Sequence, residues 1–157
     1  MAQIEIGPFT LEVDADATRV GYTTSPAVDP SCCNACATFM QAVSTKSLSP
    51  KLVEILNRLG VDPSKPIEAW GAPDGGFLQV WWPFVGTFAV HDPSNEESFT
   101  IGEGQSVRVT ADYPAPDWVP TPGLDVPALE LTWVGTAVQE LNGVLRLPPT
   151  NDRGVGA

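Results

Sequence analysis

The stretch IEAWGAPDGGFLQVWW, residues 67–82, decides the fold class because it predicts two β-strands joined by a tight turn. Ile67–Trp70 and Phe77–Trp82 are enriched in the aromatic and β-branched residues that strands favour. Between them, Pro73-Asp74-Gly75-Gly76 supplies glycines, which adopt positive φ without a steric penalty. The stretch therefore predicts an antiparallel β-hairpin.

Segments on both sides of this hairpin predict further strands, because they alternate apolar and polar residues or are largely apolar. Proline lacks the backbone N–H that a sheet uses, so Pro83 predicts that the next strand, Phe84–Val90, begins after an edge or a bulge. The region Pro114–Pro127 holds five prolines and predicts an extended connection. The other predicted strands are Gln3–Ile6, Phe9–Val13, Thr18–Tyr22, Ser98–Ile101, Ser106–Tyr113 and Leu129–Val134.

Two helices are predicted between the N-terminal strands and the hairpin. The clearer one has Ser49-Pro50 at its start and Gly60 as its C-terminal stop. The other runs from Cys32 to about Val43, and Asp29 or Ser31 can cap it. Only a short segment joins the two helices, which predicts an antiparallel helical hairpin.

Chain length and composition predict one folded domain. The chain has 157 residues, of which 43% are hydrophobic, and this suffices for one core. We predict a single α+β domain over residues 1–150, with a mostly antiparallel sheet of about six strands packed against the two-helix hairpin. Residues 151–157 are predicted to form a flexible tail.

The charge balance narrows the classes of partner. Eight basic residues stand against 19 acidic ones, which gives a net charge of −11. Direct binding to nucleic acid or to an anionic membrane surface needs clustered Lys and Arg, so neither is expected. The N-terminus shows no basic region followed by an apolar core, and no apolar run is long enough to span a membrane. A cytoplasmic location and a protein partner are predicted.

The cysteines are the best candidates for chemistry. Cys32, Cys33 and Cys36 are the only cysteines, and they lie within five residues of one another. At the start of a helix, backbone amides and the helix dipole favour the thiolate. One hypothesis is a metal site for zinc or copper formed by these three thiols, with His91, the single histidine, as a further ligand.

Two alternatives for the cysteine cluster remain open. The C-x-x-C spacing of Cys33 and Cys36 also suits dithiol–disulfide redox chemistry. Otherwise the cysteines are small apolar residues that pack in the core, since Cys32 and Cys36 share one helical stripe with Phe39 and Val43.

Three tryptophans are candidate contact residues for a partner. Trp81 and Trp82 are neighbours on a predicted strand, so their side chains point to opposite faces and cannot both enter a one-sided core. Trp118 lies in the proline-rich connection. Tryptophan is enriched at protein–protein interfaces, so we predict an interface role for Trp81, Trp82 and Trp118.

The order of motifs from Cys32 to Gly86 resembles a family of uncharacterised bacterial proteins. It runs from Cys33-x-x-Cys36 through Leu59-Gly60-Val61-Asp62-Pro63-x-Lys65 to an aromatic strand that ends Phe84-Val85-Gly86. In that family, a C-x-x-C helix precedes an L-G-I-D-P-x-K segment and a W-F-H-F-V-G-like strand. Pro83 stands where the family has a histidine, so a histidine-assisted metal site does not carry over. The resemblance implies a bacterial origin and no particular activity.

These patterns favour a small, acidic, non-catalytic binding protein over an enzyme. Its predicted mode of action is contact with a protein partner, with or without a metal ion at the cysteine cluster. The alternatives are a thiol–disulfide redox protein that uses Cys33 and Cys36, and an inhibitor or immunity-type protein that acts through its acidic surface. The sequence predicts neither the identity of the partner nor the oligomeric state.

Overall fold

A computed structural model of the chain describes residues 1–27, 29, 31, 34–71, 77–89, 98–111 and 128–135, and the backbone of 138–139 and 145–146. The helices are α1 (Ala15–Tyr22), α2 (Asn34–Ser44) and α3 (Pro50–Leu59). The strands are β1 (Ala2–Ile6), β2 (Phe9–Val13), β3 (Glu68–Gly71), β4 (Leu78–Phe88), β5 (Phe99–Gly102), β6 (Gln105–Thr110), β7 (Ala128–Gly135), β8 (Val138–Gln139) and β9 (Leu145–Arg146).

Seven of the described strands form one antiparallel sheet, which confirms the predicted α+β class. Its order is β1-β2-β4-β7-β6-β5, and β3 pairs with β4. The predicted pairing of the strands at either end of the 67–82 stretch is therefore confirmed, with Trp70 opposite Gln79. Strands β8 and β9 pair with each other, and neither strand was predicted from the sequence.

The core lies on one face of the sheet. Along β4, Leu78, Val80, Trp82 and Phe84 have no exposed surface, as expected for the side chains that share one face of a strand. Helix α2 packs on this face, where Phe39 meets Trp82 edge to face with ring centroids 5.7 Å apart. Burying each of these large side chains stabilises the fold by about 1.5–3 kcal/mol.

Strand β4 is the central element, and it contains Pro83. It runs unbroken for 11 residues, so the prediction of an interruption at Pro83 is wrong. On one side β4 pairs with β7, and on the other it pairs first with β3 and then with β2. Helix α1 lies beside the gap between β3 and β2. There, Tyr22 donates its hydroxyl proton to the Pro83 carbonyl at 2.8 Å.

The position of this gap explains why proline is tolerated. In an antiparallel strand the N–H and C=O of one residue point to the same side. The Pro83 carbonyl faces α1, so the missing N–H also faces α1, where none of the described strands needs a donor. The next residue pointing this way, Val85, has both backbone groups satisfied: its N–H donates to Thr18 Oγ1 and its carbonyl accepts from the Asp14 N–H, each at 3.0 Å.

The segment Thr18–Tyr22 was predicted as a strand, and this prediction is wrong because the segment belongs to α1. Asp14 is the N-cap, and its carboxylate accepts a hydrogen bond from the Ala17 N–H at 2.9 Å. Asp16 in the first turn pairs with Arg19 at 2.7 Å. These local contacts favour a helix of 8 residues over the apolar alternation that suggested a strand.

Helix α3 has the predicted bounds, and the predicted body of α2 is helical from Asn34 onward. Pro50 begins α3, and Gly60 follows it with φ +78°, a left-handed conformation that glycine adopts readily. Helix α2 is described over Asn34–Ser44, and its predicted start at Cys32 lies outside the described residues. It packs mainly on β3, while α3 contacts α1. The antiparallel pairing of α2 with α3 stays a prediction.

Several predicted features lie outside the described residues. They are the turn at 73–76, the end of the predicted strand at 90, the connection at 114–127 and the tail at 151–157. Within the part that the structure describes, no helix combines the length and the apolar character needed to cross a membrane.

Candidate functional site

The predicted site residues divide into those that the structure describes and those that it does not. Cys36, Trp81 and Trp82 are described. The metal-site candidates Cys32, Cys33 and His91 lie outside the described residues, as does the interface candidate Trp118. The structure therefore gives the surroundings of one cysteine of the cluster and of two of the three tryptophans.

Cys36 is part of the core. Its side chain is buried, with 6% of its surface exposed, and it lies in the first turn of α2. The Sγ atom is 3.9 Å from the carbonyl oxygen of Ala69 on β3, within range of a thiol-to-carbonyl hydrogen bond. A thiol that donates carries its proton, whereas metal binding and nucleophilic attack need the thiolate. This placement matches the core-packing alternative for Cys36.

The start of α2 covers β3 from one side. A Cβ atom built on Gly71 would lie 3.4 Å from the Cβ atom of Ala35, so helix and strand are in close contact there. Just before the helix, Asp29 Oδ1 accepts hydrogen bonds from the Ser31 hydroxyl at 2.7 Å and from the Ser31 N–H at 2.8 Å. Both bonds stabilise the charged carboxylate, the bond from the hydroxyl more than the bond from the N–H. They hold the pKa of Asp29 below its ordinary value.

The second face of the sheet carries an aromatic patch, which we define as Trp70, Phe77 and Trp81. Trp70 lies opposite Gln79, and Trp81 is two residues further along β4, so the two tryptophans share a face as diagonal neighbours. The rings of Trp70 and Phe77 meet edge to face, with centroids 5.3 Å apart. Trp70 is 48% exposed, and Phe77 and Trp81 are partly exposed. The patch therefore presents aromatic surface to solvent.

Charged side chains surround the aromatic patch on the same face. Glu68 lies directly opposite Trp81, and Glu130 lies opposite Pro83 on the neighbouring strand β7. Arg108 is two strands away from Trp81, because both pair with Thr132. These three charges sum to −1, in keeping with the acidic character of the whole chain.

Trp81 and Trp82 take opposite roles, as the strand geometry predicts. Trp82 is fully buried against Phe39, and its indole N–H donates to the Pro63 carbonyl at 3.3 Å. Trp82 is therefore a core residue and is not available to a partner. Trp81 lies in the aromatic patch.

Sequence reasoning missed Trp70 and Phe77. The strand pattern places Trp70 one residue from the buried Ala69, which signals that it points away from the core. Its exposure also depends on β3 having β4 as its one partner among the described strands, and a single sequence does not reveal this.

No group of three or more His, Cys, Asp and Glu residues among those described could hold a metal ion. Cys32, Cys33 and His91 lie outside the described residues. Comparisons of the chain with protein-family models, curated proteins and solved structures found no match.

Proposed function

We propose that this protein is a non-catalytic binding protein that contacts a basic protein partner through the aromatic patch. The observation that carries the proposal is the exposure of Trp70, which is 48%, next to the partly exposed Phe77 and Trp81. Aromatic side chains bury a large area at little conformational cost, and tryptophan is enriched among the residues that dominate binding energy. An exposed aromatic cluster thus supports an interface function.

Charge favours a basic partner over a second copy of this chain. Each copy carries a net charge of −11, so two copies repel each other. The patch itself is flanked by Glu68 and Glu130 on the same sheet face. Complementary charge at the rim of an interface accelerates association and excludes partners of the wrong sign.

Thiol chemistry remains a proposal for the rest of the cysteine cluster. To bind zinc or copper or to form a disulfide with Cys33, the Cys36 thiol would lose the proton that it donates to the Ala69 carbonyl. Metal or redox chemistry that leaves Cys36 buried and protonated would therefore rest on Cys32 and Cys33, with His91 as a candidate metal ligand. The inhibitor or immunity-type function is a special case of the proposed binding mode, in which contact blocks the activity of the basic partner.

The test is affinity enrichment with matched baits. The wild-type chain, Trp70→Ala and Val20→Ala are each immobilised and exposed to an extract of the source cells, and retained proteins are quantified by mass spectrometry. Val20 is the control because it is also an exposed apolar residue, 69% exposed, and lies on α1 rather than in the patch. We expect a basic protein on the wild-type and Val20→Ala baits, reduced about 30-fold on Trp70→Ala, which corresponds to a loss of about 2 kcal/mol.

A further bait separates the patch from the cysteine cluster. The double variant Cys32→Ser, Cys33→Ser keeps Cys36 and leaves the aromatic patch intact. Retention of the same basic protein by this bait supports binding through the aromatic patch. Loss of the partner from the double variant, with full retention by Trp70→Ala, would contradict the proposal and favour metal or redox chemistry at the cluster.

A further inference from the structure

A cleft of about 540 Å³ lies between the C-terminal ends of α1 and α3, and the aromatic patch contributes nothing to it. Tyr22 and Arg19 on α1 line one side. Val61, Pro63 and Lys65, in the segment after α3, line the other. The volume is typical of sites for small molecules.

Two of the eight basic residues of the chain line this one cleft. Within the part of the chain that the structure describes, Arg19 makes one side-chain contact, from Nη1 to Asp16 at 2.7 Å, which leaves most of its five N–H donors unused. Lys65 Nζ donates to the Tyr22 carbonyl at 2.9 Å and lies 4.0 Å from Asp62 Oδ2. The ammonium group has three N–H donors, so it can donate a further hydrogen bond to a bound anion. Both cations can therefore bind an anionic group.

The carboxylate of Asp62 is engaged locally. Its Oδ1 atom accepts hydrogen bonds from the Ser64 hydroxyl at 2.7 Å and from the Ser64 N–H at 3.0 Å. Lys65, in turn, donates to the last carbonyl of α1 and offsets the partial negative charge at that helix end. Asp62 Oδ2 lies 4.0 Å from Lys65 Nζ, and Arg19 and Lys65 are the cations of the cleft whose unused N–H donors can hold an anion.

The apolar side of the cleft is built into the fold. Tyr22 and Val61 are 2% and 4% exposed, so the core holds both side chains in place. The Trp82 indole N–H donates to the Pro63 carbonyl at 3.3 Å, which ties the segment after α3 to the central strand. A site whose walls are fixed before binding loses little entropy when the ligand arrives.

We propose that this cleft binds a small organic acid with one negative charge. Its carboxylate would sit between Arg19 and Lys65, and its apolar body would lie against Val61 and Pro63. One negative charge fits better than several, because Asp16 and Asp62 flank the two cations and the chain as a whole carries −11. The proposal is independent of the protein-binding function, since the two surfaces share no residue.

The test is a titration of the full-length ¹⁵N-labelled chain with phenylacetate, followed by the amide signals of Thr23, Asn57 and Val61, all of which line the cleft. Phenylacetamide has the same apolar body without the charge and is the ligand control. We expect phenylacetate to shift these amides and phenylacetamide to bind at least about tenfold more weakly, because it makes no charge-assisted hydrogen bond.

Variants of the protein test whether phenylacetate binding depends on the side chains of Arg19 and Lys65. Lys65→Gln and Arg19→Gln should each weaken phenylacetate binding about tenfold, and Arg19→Gln keeps the test valid if Lys65→Gln perturbs the fold, because Arg19 is exposed. Lys51→Gln removes a positive charge from α3 outside the cleft and should bind like the wild type. The proposal is overturned if the cleft amides do not shift at about 20 mM phenylacetate, or if all three variants bind equally.

Discussion

Thr18 shows how much one hydroxyl group contributes to this fold. The residue is fully buried, and its Oγ1 atom donates to the Asp14 carbonyl at 2.8 Å while accepting from the Val85 N–H at 3.0 Å. It thereby joins the first turn of α1 to the central strand at the gap between β3 and β2, on the side of β4 that faces away from β7. A buried N–H without an acceptor is costly, so the position requires a side chain that accepts a hydrogen bond.

Replacing Thr18 with valine should therefore destabilise the protein although the shape is kept. We expect Thr18→Val to lower the free energy of unfolding by about 1–3 kcal/mol, because the Val85 N–H is left unsatisfied. Thr23→Val is the control, since Thr23 is exposed and should change stability by less than about 0.5 kcal/mol. Urea denaturation of both variants measures the difference, and equal midpoints would contradict this role of Thr18.

Cys36 gives a second prediction at the residue scale. In the background Cys32→Ser, Cys33→Ser it is the single remaining thiol. Because it is buried against Ala69, we expect it to react with a thiol reagent at least about a hundredfold more slowly in the folded chain than in urea. Rapid labelling of the folded chain would show an accessible thiol and would return Cys36 to the metal and redox hypotheses.

Among the secondary-structure elements, those with local signals were predictable from the sequence and those that depend on distant partners were not. Helix α3 carries Pro50 at its start and Gly60 at its end, and these two residues were sufficient to predict where the helix begins and ends. Helix α1 was missed because its apolar alternation outweighed the N-cap Asp14. The continuity of β4 through Pro83 depends on a gap between two partner strands, which only the assembled sheet contains.

In the candidate site, too, the positions set by local strand geometry were predictable, and those set by distant partners were not. Strand geometry predicts that Trp81 and Trp82 point to opposite faces, and the structure places Trp82 in the core and Trp81 in the aromatic patch. Trp70 joins the patch through the register between β3 and β4, which was not predicted. The cleft between α1 and α3 was also not predicted, because it depends on α1 being a helix.

The end of α3 yields a prediction for a single helix terminus. Gly60 has φ +78°, and a Cβ atom at this position would overlap the backbone oxygen of Ala15. We expect Gly60→Ala to lower the free energy of unfolding by about 2 kcal/mol or more, from the left-handed backbone and the steric clash together. Gly102→Ala is the control, because its added Cβ atom would meet only Gln105 Nε2 at 3.9 Å. Equal urea midpoints for the two variants would contradict the account.

On the scale of the whole molecule, charge and aromatic surface act together. A net charge of −11 opposes contact between copies of the chain, while the aromatic patch exposes apolar area that a partner could cover. A basic partner would be attracted by the negative charge and could cover the apolar area of the patch. The cleft proposed to bind a small organic acid is lined by Arg19 and Lys65, with Asp62 beside them, on an acidic protein.

Binding to the proposed partner should therefore depend on salt. Raising the ionic strength from about 0.1 M to about 1 M shortens the Debye length from about 10 Å to about 3 Å. We expect the affinity of the wild-type chain for the basic partner to fall about tenfold over this range, mainly through slower association. Affinity that is unchanged or increases with salt would show that charge does not guide the contact.

The most direct test of the central claim is site-specific photo-cross-linking in the source cells. The photoreactive amino acid p-benzoylphenylalanine is placed at Phe77, inside the aromatic patch, or at Val20, an exposed control position on α1. The account predicts a covalent adduct with a basic protein from position 77 and none from position 20. An absence of adducts at position 77, or the same adducts from both positions, would contradict the claim that the aromatic patch is the binding surface.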